Sequence, residues 1–133
     1  MTPRDAVRVC FAVPSPAGFD EIWYSSDAMG GFGRMVTGAE LRHVDGATIC
    51  PLLPGSIPAV RFTNGLRLGS SLDEVLKALG PATESDGDTR VFRSVQGFKA
   101  APDCEEAHLL EEWRVAFQRD AVRAISFSHD ESC

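Results

Sequence analysis

Leu110-Glu-Glu-Trp-Arg-Val-Ala-Phe117 and Val122-Arg-Ala-Ile-Ser-Phe-Ser-His129 are the stretches on which the fold class turns. Large apolar side chains recur at every second position, Trp113, Val115 and Phe117 in one and Ile125 and Phe127 in the other. A strand sends alternate side chains to opposite faces, so each stretch reads as a strand with one buried face. Their pairing depends on the loop. A two-residue loop at Arg119-Asp120 sets Phe117 opposite Val122 but Arg114 opposite Ile125. A three-residue loop over 119–121 sets Trp113 opposite Phe127 and Val115 opposite Ile125. The second choice collects the large side chains on one face, so it is the expected hairpin.

Upstream, residues 6–13 place Val7, Val9, Phe11 and Val13 on one face at period two. Glu21 to Ser26, Met35 to Val44 and Thr89 to Val95 read as further strands, with a short one at Thr48 to Leu53. Asn64-Gly65 reads as a corner leading into a helix, because hairpin pairing there would scatter the apolar residues over both faces. The helix covers 71–79. Ser71 and Glu74 form a capping box, and Leu72, Val75, Leu76 and Leu79 make one apolar stripe. Gly80 and Pro81 end it. Residues 100–108 fit a loop or a helical turn. The expectation is one α+β domain over 1–133. It has a mainly antiparallel sheet of six to eight strands and the helix at 71–79 on one face. The helix stripe is expected against Val115, Phe117, Ile125 and Phe127.

The chain has 133 residues, 13 basic and 19 acidic, for a net charge of -6. A domain of this size buries enough apolar surface to fold without a metal. The acidic balance argues against a general nucleic-acid binder, and no apolar run has the length of a membrane-spanning segment. Cys10, Cys50, Cys104 and Cys133 are too widely spaced for a redox pair or a zinc knuckle. Four such cysteines suit two disulfides and hence an oxidising compartment; of the three possible connectivities, Cys10–Cys50 with Cys104–Cys133 is favoured because each pairs cysteines within one half of the chain. The N-terminus carries Arg4, Asp5 and Arg8 and is no signal peptide. The expected location is periplasmic or secreted, and export would mean that the signal has already been removed.

Catalytic motifs are missing. There is no nucleophile elbow, P-loop or HExxH sequence, and Gly31-Phe-Gly33 lacks the remainder of a dinucleotide loop. His43, His108 and His129 are scattered, and Glu111 and Glu112 would face opposite ways on a strand. No catalytic residue, metal or cofactor is assigned. Asp103, Glu105, Glu106, Glu111 and Glu112 form an acidic cluster suited to a basic partner. The candidate binding residues are aromatic or apolar. Trp23 and Tyr24 are neighbours on a strand, so one of them faces outward. Met29 and Phe32 lie on a glycine-rich stretch and can enter a groove on a partner.

Gly65-Leu-Arg-Leu-Gly-Ser-Ser-Leu-Asp-Glu-Val-Leu-Lys-Ala-Leu-Gly-Pro81, followed by a polar loop and Arg90-Val-Phe-Arg93, resembles a helix-then-sheet unit. That unit occurs in the SmpA/OmlA-type (BamE-like) outer-membrane assembly lipoproteins, and β-lactamase-inhibitor-protein-like domains share its plan. The resemblance spans residues 65–95. Those families have a further helix before the unit, whereas residues 57–68 here look extended, and the first 50 residues have no counterpart in them. The resemblance implies an envelope location and action by protein–protein contact, and it transfers no functional residue. The expected function is therefore a non-enzymatic, exported binding module of the bacterial cell envelope with a protein partner. The alternatives are an inhibitor or immunity protein against a basic enzyme, and a small hydrolase using histidine and carboxylates.

Overall fold

A computed structural model describes residues 6–27, 36–53, 60–98 and 107–132. Its strands are β1 (Ala6–Ser15), β2 (Gly18–Asp27), β3 (Val36–Asp45), β4 (Glu84–Asp86), β5 (Thr89–Phe98), β6 (Ala107–Gln118) and β7 (Ala121–Ser132). One helix, α1 (Leu72–Leu79), lies between β3 and β4. The strands form one sheet in the order β1-β2-β3-β7-β6-β5-β4, with antiparallel neighbours throughout. Two meanders, β1–β3 and β4–β7, thus join where β3 meets β7.

The register assigns the faces. Ile22 lies opposite Leu41, Leu41 opposite Ile125, and Ile125 opposite Val115. Together with Trp113 and Phe127 these residues define an inner face. The outer face carries Glu21, Trp23, Glu40, Arg42, Glu112 and Arg114. Helix α1 and the segment before it cover the inner face over β5–β7. The core there is Leu66, Val75, Phe92, Val115, Val122 and Ile125, with Phe62, Leu76, Leu79, Trp113 and Phe117 packed around it.

The fold is mainly β, which corrects the expected α+β class. Seven strands share the sheet, and the only helix among the described residues has eight residues and contributes one fully buried side chain, Val75. The cap is as expected: Ser71 accepts from the Glu74 N–H at 3.2 Å, and Glu74 accepts from the Ser71 N–H at 3.2 Å. The helix adds less to the core than its pattern promises because its stripe is mostly half-buried. Leu76 and Leu79 sit at the margin of the core, and Leu72 lies outside the cluster. The strands are longer than expected because pairing continues through polar ends, such as Ser126 to Ser132 of β7.

In the β6–β7 hairpin, Trp113 does face Phe127 and Val115 does face Ile125, but the loop has two residues. A bulge at Ala116/Phe117 shifts the register by one, so Phe117 also meets Val122. Arg119 and Asp120 both have positive φ, 53° and 64°, as a twist-matched two-residue turn demands. Asn64-Gly65 lies in a small loop closed by a bridge between Arg61 and Arg67 and by Phe62 N–H donating to the Leu66 carbonyl at 2.8 Å. It is thus a local hairpin as well as a corner.

Beyond β3 the chain forms a strap to the free edge of β1. Thr48 to Leu53 is not a full strand: Leu52 alone makes a parallel bridge, to Ala12. Ala12 N–H donates to the Pro51 carbonyl at 2.9 Å, and Leu53 N–H donates to the Ala12 carbonyl at 3.0 Å. The Cys10–Cys50 disulfide, with Cα atoms 5.4 Å apart, fixes the strap.

Candidate functional site

Over β1 and β2 the inner face is not covered by α1. Val9 and Tyr24, which are direct partners, are 50% and 38% exposed, and Phe11, opposite Ile22, is 38% exposed. These side chains share a face with the core of the other half-sheet, so they form a continuous apolar surface that stops being covered. Exposed apolar patches of this kind mark interaction sites. Between the patch and the segment 60–63 lies a cleft of about 230 Å³, lined by Ile22, Tyr24, Ala39, Leu41, Val60 and Phe62.

Trp23 and Tyr24 point to opposite faces, as strand geometry requires. Tyr24 belongs to the apolar patch. Trp23 is half-buried on the outer face, with the Arg8 guanidinium 4.6 Å and the Arg42 guanidinium 5.0 Å from its ring centre. Its indole N–H donates to Glu21 Oε1 at 2.9 Å. Glu21 is 3% exposed and has three donors, the others being Arg42 Nε at 3.0 Å and Thr48 Oγ1 at 2.6 Å. Burial alone would raise its pKa, but the bonds from Thr48, Trp23 and Arg42 outweigh it and hold the carboxyl below its ordinary value. Thr48 Oγ1 also accepts from the Cys50 N–H at 3.1 Å, so the buried carboxylate anchors the strap.

The rest of the outer face alternates in charge. Arg93 Nε donates to Glu112 at 2.7 Å, Arg114 Nε donates to Glu112 at 3.1 Å, and Arg93 also reaches Glu84. Arg93, with Arg114 in support, lowers the Glu112 pKa despite its partial burial. Glu112 is therefore already paired with cations, while Glu111 lines the inner face beside Trp113. This reduces the acidic cluster expected from the sequence. Asp103, Glu105 and Glu106 lie outside the described residues.

His43 sits between two carboxylates. Its Nδ1 is 2.9 Å from Asp20 and 3.1 Å from the Ser15 hydroxyl, and its Nε2 is 3.1 Å from Asp45. The bond to Asp20 raises its pKa most, burial opposes this, and Asp45 adds to the rise. Carboxylates at both nitrogens call for a proton on each. Ser15 and Asp20 meet the same nitrogen, so the grouping lacks the arrangement in which one ring nitrogen is left to the hydroxyl alone while a carboxylate holds the other; when the ring is protonated the grouping is a charged clamp. It joins β1, β2 and β3 at the end of the sheet nearest the β1–β2 turn. Gly18 permits that approach, since a Cβ there would collide with the Val44 carbonyl.

Met29 and Phe32 lie outside the described residues, as do Cys104 and Cys133, and the side chain of His108 is not described. Among the described residues, no group of three or more His, Cys, Asp or Glu is arranged to hold a metal, and no helix is long and apolar enough to cross a membrane. Sequence reasoning did not find the exposure of Val9 and Phe11, because their period-two pattern matches that of a covered strand. It also missed the Glu21 anchor. The available signal was a carboxylate at a position that the alternation places beside Trp23 and opposite Ala12. Comparison with known protein families, curated proteins and solved structures finds no match for this chain.

Proposed function

We propose that this chain is a non-catalytic binding module that docks a protein of the cell envelope on the uncovered inner face of β1 and β2. The observation that carries this reading is the apolar surface of Val9, Phe11 and Tyr24, continuous with the core yet open to solvent. Aromatic residues on a rigid strand suit such a role, because little conformational entropy is lost when they are covered. The Cys10–Cys50 disulfide supports an oxidising compartment, the periplasm or the exterior. The resemblance of residues 65–95 to envelope-assembly and inhibitor modules points the same way.

Photo-crosslinking from the two faces tests the reading. A benzophenone side chain at position 24 samples the inner face, and one at Ser126 samples the outer face. With an envelope extract, a discrete protein adduct is expected from position 24 only, and Phe11→Asp should abolish it. Equal adducts from both positions, or an adduct indifferent to Phe11→Asp, would refute the assignment.

A further inference from the structure

The apolar cleft carries a second assignment. Its volume, about 230 Å³, exceeds that of an apolar cavity of about 150 Å³ that can hold benzene. It therefore has room for a short alkyl chain or one substituted ring. Its mouth is cationic. Arg61 lines the cleft, is exposed, and has no carboxylate partner among the described residues. Arg67, across the small loop, turns its guanidinium to the Leu68 carbonyl at 3.3 Å, so Arg61 supplies the cation at the cleft. The other charged residue at the cleft, Glu40, pairs with Arg8 at 3.4 Å and Arg42 at 3.9 Å on the outer face, so its charge is already matched.

We propose that this cleft binds a small amphiphilic carboxylate, with its apolar body against Ile22, Leu41 and Phe62 and its carboxylate at Arg61. The assignment goes beyond protein docking: Tyr24 belongs to both surfaces, but the carboxylate contact at Arg61 lies outside the docking patch. Phe11→Asp alters the docking patch at a residue that does not itself line the cleft, whereas Arg61→Gln alters the cleft at a residue outside the patch.

Titration of the ¹⁵N-labelled protein with octanoate, and separately with octanol, distinguishes the polar from the apolar contribution. Octanoate should produce saturable shifts at the amides of Ala39, Leu41 and residues 60–63, with at least fivefold tighter binding than octanol. Arg61→Gln, at an exposed site, should bring octanoate down to the affinity of octanol. Ala39→Phe, with the amide spectrum elsewhere retained, should fill the cleft and remove binding of both. Equal affinities in the unaltered protein, an unchanged preference in Arg61→Gln, or no saturable shift at these amides would overturn the assignment.

Discussion

Replacing Glu21 with Ala is the most informative single change on the outer face. The carboxylate is almost wholly buried and accepts from Thr48, Trp23 and Arg42. A hydrogen bond to a charged group contributes about 1.5–3 kcal/mol in a buried setting. The three contributions do not add fully. The Arg42 side chain is 39% exposed and regains water when its partner is lost, so its share falls to roughly 0–1 kcal/mol. Thr48 and Trp23 are half-buried and recover less. Removing the carboxylate also removes its own desolvation cost. The expected net loss for Glu21→Ala is about 2–3 kcal/mol, and Glu21→Gln, which keeps an acceptor, should lose about 1 kcal/mol. Urea unfolding followed by tryptophan fluorescence reads the change as a lower midpoint at unchanged slope. The Glu21 pKa is depressed on folding, so its stabilisation is complete above the ordinary value of 4.5 and is lost as the pH falls through the folded value. The parent and Glu21→Ala curves should converge in acid. A loss under about 0.5 kcal/mol near neutral pH would show that this carboxylate does not anchor the strap.

The raised pKa of His43 makes its clamp complete below the ordinary value of 6.5 and weaker as the pH rises through the folded value. Thermal melts across this range should show the parent losing stability as the pH rises, whereas His43→Gln should show no such slope. Breaking the Cys10–Cys50 crosslink by Cys10→Ala and Cys50→Ala, across a separation of 40 residues, should cost about 4 kcal/mol in denaturant titration on the loop-entropy estimate. Ser71→Ala removes the acceptor for the Glu74 N–H and should lower stability by about 1 kcal/mol in the same assay. Val75→Ala, at the fully buried position of α1, should cost more than Leu72→Ala despite removing fewer atoms.

The central hairpin was legible because large side chains on both strands leave one register that gathers them. Its turn was not, since Arg119 and Asp120 are not residues that announce positive φ at two successive positions, and the bulge that compensates leaves no mark in the alternation. The cap of α1 was equally plain in Ser71 and Glu74. The share of the core that α1 supplies was not, because an apolar stripe does not say how much sheet lies beneath it. The opposite orientations of Trp23 and Tyr24 follow from strand geometry alone. Which orientation meets solvent depends on the path of the chain after β3. The described part of that chain fastens Thr48 to Glu21 and Cys50 to Cys10, and Leu66 and α1 cover the inner face over β5–β7. Coverage is a non-local property, so Val9 and Phe11 looked like core residues.

Hydroxyl-radical footprinting of the protein alone and bound to the proposed envelope partner tests the two-faced sheet most directly. Phe11 and Tyr24 should be oxidised in the free protein and protected in the complex, and the outer-face Trp23 should be unchanged between the two. Protection of Trp23 with Phe11 and Tyr24 still reactive would contradict that expectation.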